Sequence, residues 1–113
     1  MILLDYFLDN NYQFLQSQSD NGYNELYVFF KDDIFYILTK ERNIVFLELQ
    51  YKHAKEKISI GYLAGSNDFL TEEEIIQLLK ITDFTSFKNM SDSEIINLKK
   101  KMVNSRLKYP VLK

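Results

Sequence analysis

Between Glu25 and Ala64 the chain runs in short apolar-rich stretches broken by polar pairs and quartets, a spacing that predicts strands joined as hairpins. Four strands are expected, at about Glu25 to Lys31, Ile34 to Thr39, Ile44 to Lys52 and Lys57 to Ala64. Asp32-Asp33, Lys40 to Asn43 and His53 to Glu56 separate them, all connections of hairpin length, so an antiparallel meander is the economical topology. Taken literally, these loops oppose Phe29 to Tyr36, Tyr36 to Leu47, Leu47 to Tyr62 and Leu49 to Ile60. One face then collects Tyr27, Phe29, Ile34, Tyr36, Leu38, Val45, Leu47, Leu49, Tyr51, Ile58, Ile60 and Tyr62 and reads as a core face. The other receives Leu26, Val28, Phe30, Phe35, Ile37, Ile44 and Phe46 from the first three strands, but Glu48, Gln50, Lys57 and Ser59 toward the fourth.

The flanks read as helical. Over residues 2 to 16, Leu4, Phe7, Leu8, Phe14 and Leu15 match the spacing of one helix face, although a strand from Ile2 to Leu8 fits the same apolar run. The polar stretch Ser17 to Asn24 has the composition of a turn. Near the other end, Thr71-Glu72-Glu73-Glu74 has the form of a capping box, followed by the stripe Ile75, Ile76, Leu78 and Leu79. Ser91-Asp92-Ser93-Glu94 repeats the device ahead of Ile95, Leu98, Met102 and Val103, and Pro110 is expected to stop that helix. Phe84 and Phe87, in the connector Asp83 to Met90, are expected to plug the space beneath it.

Composition narrows the picture. A chain of 113 residues suits one domain, here taken as residues 1–113, with a single core and little room for a deep cleft besides. With 46% hydrophobic and 15% aromatic residues it is far from the profile of a disordered chain. No cysteine is present, so disulfides, thiolate zinc sites and cysteine nucleophiles are excluded. The start MILLDYFLDNN carries Asp5 and Asp9 without a basic leader, so no signal peptide is expected. Nothing approaches the roughly 20 apolar residues of a membrane-spanning helix, and a cytoplasmic protein without membrane contact is the default expectation. The net charge of −2 is unevenly spread. Residues 1–39 hold Asp5, Asp9, Asp20, Glu25, Asp32 and Asp33 against Lys31 alone, whereas residues 40–70 and 71–113 are slightly basic.

The candidate chemistry is thin. His53 sits in a polar loop with no nucleophile or acid that spacing would place beside it, and as a metal ligand it would stand alone. Helix capping accounts for Glu72 to Glu74, and a tight turn accounts for Asp32-Asp33. Gly22, Gly61 and Gly65 are isolated, so no phosphate loop exists. Lys99 to Lys101 with Arg106 and Lys108 form a basic helix end rather than a nucleic-acid stripe, and no nucleic acid, cofactor or metal is expected.

The first hairpin is apolar on both sides, and two arrangements explain it. In one, the first helix covers the second sheet face, giving an α/β/α sandwich. In the other, coverage is incomplete and the strand Glu25 to Lys31, taken as a sheet edge, joins its neighbours in a docking surface. Its anchors would be Tyr27, Phe30, Phe35 and Phe46, with Asp20, Glu25, Asp32 and Asp33 as an acidic rim. The expectation is an α+β fold, a four-stranded antiparallel meander with an N-terminal and two C-terminal helices packed on it. The function expected is protein binding rather than catalysis. By physical type, the leading form is a bacterial immunity protein, an antagonist that neutralises a basic, nuclease-like toxin by occupying its cationic cleft. The competing forms are a secretion or assembly chaperone, homodimeric through its apolar sheet face, and a small enzyme.

Overall fold

Asp32 and Asp33 both adopt positive φ, at 54° and 65°, the backbone of the two-residue turn whose twist matches that of the strands it joins. They close a hairpin between two eight-residue strands in which Phe29 opposes Tyr36 and Phe30 opposes Phe35. The computed structural model describes residues 1–20, 24–42, 44–60 and 70–105, with the backbone alone at residue 20 and at residues 101–105. Among these, the order of elements is helix α1 (Ile2–Asp9), strands β1 (Gln13–Asp20), β2 (Asn24–Lys31), β3 (Ile34–Glu41), β4 (Ile44–Tyr51) and β5 (Lys57–Ile60), then helix α2 (Glu72–Ile81), a 3-10 turn at Phe84–Phe87 and helix α3 (Asp92–Ser105). The strands form one antiparallel sheet in sequence order.

Three expectations are corrected. The helix at the start stops at Asp9, and Phe14 and Leu15 belong to β1 instead. Asn11, at a φ of 64°, reverses the chain between them. Ser17 to Asp20 continue that strand, so the sheet has five strands and β2 is interior to it rather than an edge. β1 was hidden because its side chains from Gln13 to Ser19 are all exposed, leaving no apolar face to produce an alternation. Second, β3 extends to Glu41 and β4 begins at Ile44, so two residues rather than four lie between them. Tyr36 therefore opposes Leu49; separately, β4 ends at Tyr51, the β4–β5 connection is longer than expected, and Leu47 opposes Ile60. The shift is two residues, so every side chain keeps its expected face. Third, α1 lies on the same side of the sheet as the C-terminal helices, which rules out the α/β/α arrangement. Tyr62, Ala64, Arg106, Lys108 and Pro110 lie outside the described residues.

The core forms on that one side. Phe29, Ile34, Tyr36, Leu38, Leu47, Leu49, Tyr51, Ile58 and Ile60 from the sheet are buried with Leu3 and Phe7 of α1, Ile75, Leu78 and Leu79 of α2, Phe84, and Ile95 of α3. Phe7 stacks on Phe29 at 4.9 Å between ring centroids and meets Tyr12 edge-on at 4.7 Å. Polar contacts fix the helices over this layer. Both capping boxes form: Thr71 accepts from the Glu74 N–H and Ser91 from the Glu94 N–H, while each glutamate accepts from the backbone N–H of its cap. Glu72 also accepts from the Leu3 N–H at 3.0 Å, tying α1 to the start of α2. Asp92 accepts from the N–H groups of Lys55 and Glu56 at 2.9 and 3.1 Å, seating α3 against the β4–β5 connection. Tyr51 donates its hydroxyl to the Phe84 carbonyl at 2.9 Å, the bond that lets a tyrosine be buried there.

Candidate functional site

The covered face leaves the opposite face of the sheet to be accounted for. Pairing places Leu26, Val28 and Phe30 of β2 beside Phe35, Ile37 and Thr39 of β3, with Phe46 opposite Thr39 on β4. Among the described residues, none of these apolar side chains belongs to the core cluster, and all three helices pack on the other side. Leu26, Val28, Phe30, Phe35, Ile37 and Phe46 are half-buried, and Ile44 is exposed. Toward β5 the face turns polar, with Glu48 opposite Ser59 and Gln50 opposite Lys57, and toward β1 it meets Gln16 and Gln18.

The sharpest feature sits at the β2–β3 turn. The rings of Phe30 and Phe35 meet at 4.8 Å between centroids, one residue pair away from the exposed carboxylates of Asp32 and Asp33. Paired rings beside two acids combine an apolar anchor with a charge that acts at longer range. The other expected anchors and rim residues are not gathered with them. Phe46 stands on the same face but toward the opposite end of the strands. Tyr27 and Glu25 point to the helix side, where Glu25 lies 4.0 Å from Lys40 across the hairpin. Burial and Glu25 together push the Tyr27 hydroxyl above its ordinary pKa. Asp20 ends β1, at the far end of β2 from the Asp32-Asp33 turn. Sequence reasoning left out of its anchor set Val28 and Ile37, a directly opposed pair at the centre of the apolar area. The alternation of the strands already places both on the face of Phe30 and Phe35.

Little elsewhere supports chemistry. His53 is exposed at the β4–β5 connection. No group of three or more histidine, aspartate or glutamate side chains is placed to hold a metal among the described residues. An open depression of about 320 Å³ is lined by Thr39, Phe46, Glu48 and Ser59 with Leu47 and Ile60, and it offers a carboxylate and two hydroxyls without a histidine. Another, about 540 Å³, lies by the β3–β4 turn at Asn24, Glu41, Arg42 and Ile44. Tyr12, Tyr36 and Tyr51 have hydroxyls pushed far above the ordinary value, chiefly by burial, which keeps them neutral and structural. Among the described residues, no helix is long and apolar enough to cross a membrane. No family model, curated protein or solved structure matches the chain.

Proposed function

We propose that the protein is a small binding module that docks a partner protein on the open sheet face. The observation that carries this is the apolar area of Leu26, Val28, Phe30, Phe35 and Ile37, which among the described residues lies outside the core cluster. A large uncovered apolar patch is uncommon on a monomer and usually marks an interaction site. Asp32 and Asp33, fixed beside Phe30 and Phe35, favour a partner whose facing surface is basic. The most specific form of this reading is an immunity protein that blocks a basic toxin domain, with the acids speeding encounter and the rings slowing release. On this reading the chain itself catalyses nothing.

The experiment is affinity capture from the native host with the wild-type chain and with a Val28→Asp/Ile37→Asp variant, both shown to be folded. The reading requires a basic protein bound one-to-one by the wild type and lost by the variant. Equal capture by both would remove the open face from the function. A stable homodimer sealed through this face, holding an unfolded segment of another protein, would instead favour the chaperone form.

A further inference from the structure

We infer that two copies of this chain join edge to edge through β1, antiparallel and centred on Gln18, so that their sheets continue across a twofold axis as one. This rests on the sheet edge and is independent of what docks on the open face. Among the described residues, β1 is hydrogen-bonded only to β2, so over Gln16–Asp20 every second residue turns its backbone N–H and C=O away from the sheet. Such a row is a template for another strand unless something obstructs it. Gln16, Ser17, Gln18 and Ser19 are all exposed, and the strand contains no proline, lysine or arginine. Its one irregularity is the bulge between Phe14 and Gln16, which leaves Gln16 to Asp20 in regular pairing.

The strand's own sequence selects both occupant and register. A parallel in-register pairing would bring Asp20 beside Asp20 of the second copy, and like charges placed directly opposite are unfavourable. An antiparallel register centred on Ser17 would carry the bulge into the ladder. Centred on Gln18, it sets Gln18 opposite Gln18 of the second copy, Ser17 opposite Ser19, and Gln16 opposite Asp20, with the charges apart and the bulges outside. Glutamine and serine side chains both donate and accept, so each can satisfy its own kind. Unlike β1, β5 opens with Lys57 and follows Lys55, charges that disfavour strand addition there. Directly opposed residues share a face, so this pairing leaves the two open faces on the same side of the joined sheet. One strand edge is less than a standard interface of about 1,200 Å² or more, so the association is weak and belongs to high protein concentration.

Because the chain contains no cysteine, single cysteines report the geometry cleanly. In Gln18→Cys the two Cβ atoms would lie about 4.5–5.5 Å apart, within a small shift of the roughly 3.5–4.5 Å of a disulfide, so fluctuation of the pair allows cross-linking on mild oxidation. Gln18→Cys is expected to cross-link at least about tenfold faster than Ile37→Cys, whose residue sits mid-face and is held away from its copy. Equal rates, or faster cross-linking of Ile37→Cys, would overturn the edge pairing. In sedimentation, the wild-type mass should rise from 13.5 kDa toward twice that value with concentration. Gln18→Lys should weaken this association at least about tenfold by setting like charges opposite. A wild-type chain that stays monomeric up to about 0.5 mM would overturn the proposal.

Discussion

The two faces of one sheet are built from the same strands and nearly the same residue types, yet they differ in what lies over them. On the covered face Phe29, Leu38, Leu47 and Leu49 are 0% exposed beneath three helices. On the open face Phe30, Phe35, Val28 and Ile37 remain half-buried, and the rings of Phe30 and Phe35 meet each other. Hydrophobicity alone therefore does not assign a residue to the core; the element lying over it does. Among the described residues the comparison also separates the aromatics: tyrosines gather on the covered side and its margin, where Tyr51 finds a carbonyl for its hydroxyl, whereas the open-face rings are all phenylalanine.

The largest expected effect breaks the covered face. Leu47→Ala empties space beneath the helices and should cost about 2–5 kcal/mol, read from the urea midpoint. Ile37→Ser, an equally apolar position in sequence, should cost less because Ile37 is only partly buried; a loss matching that of Leu47→Ala would show the two faces equally sealed. Alkaline titration probes the same asymmetry. The hydroxyls of Tyr12, Tyr36 and Tyr51 have pKa values raised in the fold, chiefly by burial. The unfolded chain thus releases these protons first, so their contribution is intact below about pH 10 and declines as pH rises beyond it. Urea midpoints should fall above about pH 10, and Tyr51→Phe should flatten the fall while losing its bond to Phe84. Thr71→Ala, which removes the cap of a covering helix, should cost about 1 kcal/mol in the same assay. The smallest effect is expected at the rim. Replacing Asp32 and Asp33 by lysine should change stability by about 0.5 kcal/mol or less while slowing association with a basic partner, most visibly at low salt.

Much of this division was legible in the sequence. The strand residues that alternation assigned to a face from β2 to β5 kept it where described, because the misplaced pairings were wrong by an even number of residues; Glu25 and Tyr27, also placed in the docking surface, point to the helix side instead. Both capping boxes were legible for a similar reason: they are local devices that need nothing from the rest of the fold. β1 was not legible. Phe14 and Leu15 happen to continue the helical spacing of Phe7 and Leu8, and the serines and glutamines after them resemble a turn until β2 supplies their backbone partners. That misreading made α1 long enough to cover the second face, so the placement of the helix, and with it the existence of an open face, had to come from tertiary structure.

The central claim is that the rings of Phe30 and Phe35 stay partly exposed in the free protein while Phe29, on the helix side of the same strands, is fully buried. Hydroxyl-radical footprinting of the dilute chain, resolved to single residues, measures this directly. Strong labelling of Phe30 and Phe35 with protection of Phe29 and Phe7 is the predicted pattern. Phe30 and Phe35 as well protected as Phe29 would contradict it.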